Sequence, residues 1–557
     1  MFLFDFFRSF LPLHNPIGFG AADFIELALS LVLVLMTALR ARVERAARHL
    51  AESTVWSMAL VALLPVALRL ALVPRFPPPT PGGADDFSYL LLGDTLAHLR
   101  FANPAHPLYQ FFEAVFILQQ PSYGSIFPLG QGLVLALGQV LGLPWVGVVL
   151  SVGGLCAGCY WMLRGWTTSG WALAGGVLAA LEFGPLNQWM NLYWGGAVSA
   201  IAGSLVCGAL PRLRRDPSTR NAALLGAGLG LQLITRPFEF VLLAAAAAAF
   251  LLPGWRRFLP VLPVIGVTLL PAASLTLAQN KAVTGSWTTL PYVLSRYQYG
   301  VPATFTFQPN PTPHRALTPE QDLDYRAQSI VHGDGPDTLA RYLARLRERM
   351  HFYRFFYYPP LIVALPFFFA AAAPRNWPLL WALGTILLFA LADNFYPYFY
   401  PHYIAALTCV FVLAGVKALA FLCRWQAGCA AARLIVFLAA AHFLFWYAMF
   451  CGNQTMLLAA GRLDTPDFIN FGDPDGRTRI DGALASLAGK HLVFVRYGPQ
   501  HMFHEWIHNA AEIDAADVVW ANDLGYTENQ KLIGYYPTRR VWLVEPDARP
   551  PQIAPYP

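Results

Sequence analysis

The stretch VWSMALVALLPVALRLALVPRFPPPTPGGADDFSYLLLGDTLAHLRFANP (55–104) decides the fold. Its first part, 55–73, is apolar over about the 20 residues a helix needs to cross a bilayer. A Pro-rich run follows, then a Pro-Gly-Gly turn, then Asp85 and Asp86 at the head of a helix. The pattern is that of a membrane span delivering the chain to a loop with chemistry in it. Working outward, similar apolar segments fall near 23–40, 145–163, 170–184, 192–210, 220–235, 238–252, 259–278, 358–373, 377–392, 402–422 and 432–451. This gives a polytopic α-helical membrane protein of about 12 transmembrane helices.

Composition agrees. The 557 residues are 56% hydrophobic and 13% charged, against about 25% charged in a soluble domain. Mean hydropathy is +0.45, and the formal charge is only +6. These values exclude a disordered chain, a small disulfide scaffold and an ordinary cytosolic enzyme, and nothing points to nucleic acid. The 7 cysteines lie mostly in apolar runs; Cys156 and Cys159 match C-x-x-C inside an expected span, where packing explains them.

Arginine placement sets the expected orientation. Arg40, Arg42, Arg45 and Arg48, then Arg212, Arg214, Arg215 and Arg220, then Arg256 and Arg257, Arg375, and Arg424 with Arg433 mark cytoplasmic loops. Loops 74–144, 279–357 and 393–401 and the tail then face outward. The apolar run 129–143 is short for a crossing and would invert the arginine pattern, so it is expected to be a horizontal or re-entrant helix at the outer surface. Residues 1–22, which lack a basic start and carry Pro12 and Pro16, read as an interfacial segment. Residues 23–452 form the transmembrane domain. Residues 453–557 form an extracytoplasmic tail with a small α/β domain: HLVFVRY (491–497), ADVVWA (516–521) and RVWLVEP (540–546) read as strands, and TENQKLIGYY (527–536) as a helix.

The outer loops hold the candidate site. Neighbouring carboxylates repel, so Asp85 and Asp86 call for a cation or one raised pKa. They read as a general base, as ligands of a divalent ion such as Mg or Mn, or as an N-cap. Gln120 and Tyr123 in QQPSYGSIFPLGQG (119–132) offer groups suited to sugars. Arg236 and Glu239 in TRPFE (235–239) lie at a span boundary, either as a cation facing a phosphate or as a surface pair. His402, after a tyrosine-rich run, reads as a phosphate ligand or a helix cap. The charged segment 337–356 reads as a helix on the bilayer surface. His504-Glu505-Trp506-Ile507-His508 matches H-E-x-x-H, a zinc signature when helical.

The order of these features resembles the GT-C glycosyltransferases, most closely the protein O-mannosyltransferase and aminoarabinose-transferase branch. The matching residues are Asp85-Asp86, Tyr89, Asn103-Pro104 and Phe127-Pro128-Leu129, within Val61–Leu210. Asp86 stands where that branch carries Glu, and Gln120 precedes the turn where the aminoarabinose enzymes carry Lys. The resemblance implies sugar transfer from a polyprenyl-phosphate donor on the outer side of a bacterial plasma (inner) membrane. It implies Asp85 as the catalytic acidic residue, which the chemistry of transfer casts as the base, with Asp86 supporting it; Tyr89 matches the branch's Tyr, and Gln120, Tyr123, Arg236, Glu239 and His402 are the candidate substrate-binding residues read from their own positions. The competing readings are a multi-spanning transporter, which would carry ionisable residues near the bilayer midplane, and a zinc metalloprotease built on His504 and His508.

Overall fold

The computed structural model describes residues 40–333, 335–372, 376–451 and 476–557. The interfacial segment 1–22, nearly all of the span expected at 23–40, Arg375 and the start of the tail lie outside the described residues.

The chain is largely helical. Helices α1 (Arg40–Glu52) and α2 (Thr54–Ala71) are separated at Ser53, whose hydroxyl accepts the Trp56 amide at 3.4 Å and so caps α2. Then follow α3 (Ala84–Ala97), α4 (Leu129–Val140), α5 (Pro144–Trp166), α6 (Ser169–Glu182), α7 (Ala197–Arg215), α8 (Thr219–Leu233), α9 (Pro237–Leu251) and α10 (Leu262–Thr284). A second outer segment holds α11 (Pro291–Tyr299), α12 (Pro319–His332) and α13 (Leu339–Arg349). The bundle closes with α14 (Leu365–Ala372), α15 (Trp377–Ala392), α16 (Thr408–Leu422) and α17 (Gln426–Cys451).

Among the described residues, 6 helical stretches are long and apolar enough to cross a membrane: Thr54–Ala71, Pro144–Trp166, Trp255–Thr284, Trp377–Phe395, Ala405–Leu422 and Gln426–Ala448. Leu339–Phe356 with Pro359–Ala372 would add a seventh if counted as one span, but the pair bends by 117°. The protein is thus an integral membrane protein, with fewer full-length spans among the described residues than the 12 the apolar runs suggest. Of the other six runs, 23–40 lies almost wholly outside the described residues and 358–373 falls in the bent pair; α6, α8 and α9 have 14 or 15 residues. At 1.5 Å per residue they reach about 21–23 Å, short of a hydrocarbon core of about 30 Å. In α7 the terminal Arg212, Arg214 and Arg215 cut the apolar run. The run expected to lie along the surface forms α4, whose 12 residues are too few to cross.

The helices share a polarity. α7 ends on its arginines, and Arg215 donates to the Gly165 carbonyl (2.8 Å) at the end of α5. α9 starts just after Arg236 and leads to Arg256 and Arg257; α16 follows His402 and leads to Arg424. α2 runs from the end near Arg45 and Arg48 toward Asp85. The arginines of these helix ends therefore collect on one side, opposite the acidic and aromatic loops, which carry arginines of their own such as Arg236 and Arg315.

The described tail contains a four-stranded sheet of β3 (His491–Val495), β4 (Val518–Asn522), β5 (Arg540–Glu545) and β6 (Gln552–Pro555), after the two-residue strands β1 (Ile117–Leu118) and β2 (Gly124–Ser125). The order is β4-β3-β5-β6; β3 pairs parallel with β4 and β5, and β6 runs antiparallel to β5. Every residue of HLVFV is buried, as a central parallel strand requires. The helix Tyr526–Tyr535 lies between β4 and β5. The sheet's apolar core is continuous with Leu91, Phe111, Phe112, Ile117 and Tyr123 of the first outer loop. The tail also straps the turn before Asp85: Gly83 bridges His504, the Glu505 amide donates to Gly82 (3.1 Å), and Ala84 donates to Phe503 (3.3 Å).

Candidate active site

The Pro-rich turn is fixed from beneath by a buried arginine. Arg69, near the end of α2, donates to the carbonyls of Phe76 (2.9 Å) and Pro77 (3.2 Å) and to Asn191 Oδ1 (2.8 Å), and lies 4.7 Å over the Trp145 ring. The turn then enters α3, whose N-cap is Gly83, so neither acid caps the helix. Asp86, 4% exposed, accepts the Gly82 amide through Oδ2 (3.3 Å) and the Tyr193 amide through Oδ1 (3.1 Å). It ties the turn to the NQWMNLYWGG segment (187–196). The two loop amides go to Asp86, leaving Asp85 partly open and within the field of Arg236. Burial first, then the Asp86 charge, push Asp85 up to about 7, while Arg236 pulls it back.

Arg236 reaches this place through a tight helix contact. The Gly130 amide donates to the Ile234 carbonyl (2.7 Å), and a Cβ on Gly130 would overlap Thr235. The head of α4 is thereby pressed against the α8–α9 junction. Pro237 then opens α9, and Arg236 Nη1 donates to Glu239 Oε1 at 3.3 Å. The pair is no surface anchor: its side chains are 17% and 2% exposed. The guanidinium lies 4.7 Å over the Tyr403 ring. Tyr89, stacked on Phe127 at 4.1 Å, lies in the field of both Arg236 and Asp85. His402, also in the field of Arg236, stacks parallel to Tyr400 (5.6 Å) and edge-on to Trp194 (4.8 Å). Its Nδ1 is buried without a hydrogen-bond partner. It does not cap the next helix, which starts from Leu407.

Asp85, Asp86, Tyr89, Arg236, Glu239 and His402 are thus brought together. Gln120 and Tyr123 are not. Gln120 is exposed and its carbonyl accepts from Gln298 (3.0 Å). Tyr123 is buried in the core shared with the tail, its hydroxyl donating to the Asn509 carbonyl (3.0 Å). Tyr400 and Tyr403, from the tyrosine-rich run, join the site, and Asp324 of α12 lies within electrostatic reach of Asp85.

The expected Mg or Mn ligation finds no matching donor set. Among the described residues no three His, Cys, Asp or Glu side chains are grouped to hold a metal ion, and both oxygens of Asp86 already accept amides. The zinc motif fails on local geometry. Residues 502–510 are not helical, and Phe503 has φ +66°, so His504 and His508 do not share a helical face. Glu505 is fully buried and accepts Val115 N (3.2 Å), Ile507 N (2.8 Å) and Tyr497 OH (2.7 Å). His508 stacks on Trp520 (5.1 Å) and lies tilted against Phe87 (4.6 Å). Glu505→Ala strands three donors and is expected to cost at least about 2 kcal/mol, read as a lower melting temperature. His504→Ala/His508→Ala leaves the zinc content of the purified protein unchanged; a stoichiometric zinc lost in the double variant contradicts the structural assignment.

Solved structures with a similar course of chain are those of ArnT from Cupriavidus metallidurans, apo and bound to undecaprenyl phosphate. They cover 87% and 88% of this chain and 92% and 93% of their own, at 13% identity and a TM-score of 0.46. The archaeal oligosaccharyltransferase AglB from Archaeoglobus fulgidus, in complex with an inhibitory peptide and a dolichol-phosphate, matches 88% of this chain and 69% of its own. There the identity is 12% and the TM-score 0.41. No protein-family model matches the chain, and no curated protein matches it in sequence. Likeness at this level concerns the course of the chain, and the functional reading rests on the site itself.

Proposed function

We propose that the protein is a membrane glycosyltransferase that moves a sugar from a polyprenyl-phosphate donor to an acceptor on the extracytoplasmic side, with Asp85 as general base. The observation that carries this reading is the partly open Asp85 carboxyl in the field of the half-buried Arg236, at the end of the bundle away from the loops that hold Arg214, Arg256 and Arg424. By the bias of arginines toward the cytoplasm, that end faces outward; in a bacterium this is the outer face of the plasma membrane. Apolar side chains such as Val55 (74% exposed) and Val267 (64%) cover the flanks and suit lipid contact.

The chemistry follows from the two charges. The acceptor's O–H or N–H proton passes to Asp85 as the acceptor atom bonds the anomeric carbon. The bond from that carbon to the phosphate oxygen breaks, its electron pair leaving on the phosphate. Glycosyl transfer of this kind passes through an oxocarbenium-like state. A base with a pKa near the working pH is the effective one, and a fixed cation stabilises the leaving phosphate. Tyr89, Tyr403 and His402 supply ring faces and polar edges beside it.

The pH dependence has a definite sign. Asp85 accepts a proton only when ionised, and its raised pKa keeps it protonated below about 7. Transfer therefore rises with pH through that value. Arg236 lowers the Asp85 pKa, so Arg236→Gln moves the rising limb to higher pH. Release of undecaprenyl phosphate from a mannosyl-phospho-undecaprenol probe, followed against pH, tests both points. A flat profile between pH 5 and about 8 would sink the assignment of the base.

A further inference from the structure

Helix α13 is packed inside out for a helix in a loop that meets water. Its sequence, LARYLARLRER (339–349), mixes leucines with arginines. At helical spacing Leu339, Leu343, Leu346 and Met350 fall in one stripe, and Tyr342, Arg345 and Arg349 fall in a second beside it. A helix on a soluble domain turns its apolar stripe to the core. Here the polar stripe packs inward instead. Arg349 is 7% exposed, whereas Leu339, Leu343 and Met350 are 74%, 52% and 68% exposed.

The inward stripe fastens α13 to the end of a span. The Tyr342 hydroxyl donates to the Leu391 carbonyl (2.7 Å) in the last turn of α15, and the Tyr342 carbonyl accepts the Asn394 side-chain amide (2.8 Å). Arg345 donates to the Asn394 carbonyl (3.3 Å) and to both carboxylate oxygens of Asp337 (3.1 and 2.5 Å). Arg349 donates to the carbonyls of Asp393 (3.0 Å), Tyr396 (2.5 Å) and Pro397 (3.0 Å). These contacts set α13 at the end of the apolar stretch Trp377–Phe395. On that stretch Leu387 and Leu391 are exposed, as side chains that face lipid are. The leucine stripe borders Tyr342 on the helix surface, so it continues the apolar flank that ends at Leu391. Among the exposed charged residues of α13, Arg347 borders the stripe, and Arg341 and Glu348 stand on the side away from it. An apolar strip edged by a cation, with a tyrosine at the end of a span, suits the boundary between acyl chains and phosphate headgroups.

We propose that α13 is an interfacial anchor whose stripe of Leu339, Leu343, Leu346 and Met350 sits among the acyl chains of the bilayer leaflet at the Asp85 end, with Arg347 at the level of the phosphates. Its partner is the phospholipid of that leaflet. The anchor holds the backbone from Asp393 to Pro397, and Tyr396 in that segment stands edge-on to Phe238 (5.4 Å), two residues beyond Arg236. The second outer loop is thereby fixed at bilayer level beside the candidate site. This membrane contact does not depend on which reaction the site performs.

The test uses the full chain in nanodiscs of phosphatidylcholine and phosphatidylglycerol. Photoreactive p-benzoylphenylalanine replaces Leu339, Leu343 or Met350 in three separate variants, and Arg341 in a fourth as the control on the opposite side of the helix. All four positions are exposed, and thermal unfolding checks that each variant is folded; any one of the three stripe positions carries the readout. After illumination, mass spectrometry shows phospholipid adducts at the stripe positions and none at position 341. The proposal is overturned by folded variants that give no lipid adduct at the stripe, or by lipid adducts equal in yield at position 341. It is equally overturned by stripe adducts that join a second copy of the chain or another segment of the same chain in place of lipid.

Discussion

Asp85→Asn lowers sugar transfer by about 10²–10⁴-fold, the range expected when a positioned base is lost, and leaves the melting temperature within a degree or two of wild type. The second half follows from the division of labour in the acidic pair. Asp86 holds the turn through the Gly82 and Tyr193 amides, whereas Asp85 spends its time partly open beside Arg236. Removing the Asp85 charge also relieves its repulsion with Asp86. Asp86→Ala behaves in the opposite manner: it frees two buried amides, destabilises the turn and lowers activity through position. Steady-state transfer and thermal unfolding, measured on the same preparations, separate the two roles. An Asp85→Asn protein with wild-type turnover would remove the base from the mechanism.

Arg236→Ala reduces transfer by about 10²–10³-fold, comparable to losing a principal donor to a developing oxyanion. It also strands Glu239, whose side chain is 2% exposed, so a loss of about 3–5 kcal/mol in stability accompanies it. Arg236→Ala/Glu239→Gln separates the effects, because the buried charge is gone while the leaving phosphate still lacks its cation. The double variant regains most of the stability and little of the activity. Recovery of both would make Arg236 a structural residue alone.

Much of this site is legible in the sequence because its residues sit at breaks between apolar runs. Asp85 after Pro-Gly-Gly, Arg236 before Pro237 and His402 before an apolar run are each placed by the end of a helix, and helix ends are what such runs reveal. The remainder depends on contacts made across the chain. Gly83 takes the capping position that a sequence reader would give an aspartate. Phe503, at φ +66°, breaks the helix on which the H-E-x-x-H spacing depends. Tyr123 looks suited to a sugar but is buried against the tail, which approaches from almost 400 positions away. Asp324 lies in PEQDLDYRAQSIVH (319–332), where nothing local tells that Glu320, Asp324 and Gln328 face inward. The short α6, α8 and α9 have the apolarity of spans without the length, since protein neighbours bury much of what lipid would otherwise cover.

In the proposed mechanism the Asp85 position opens to the outer side and adjoins the phosphate of a lipid carrier. A cysteine variant at that position (Asp85→Cys), in right-side-out vesicles, tests it most directly through the rate of labelling by a membrane-impermeant maleimide. The expected result is labelling from outside that slows when undecaprenyl phosphate is added. Labelling only after the vesicles are opened, or an outside rate indifferent to the lipid phosphate, would contradict it.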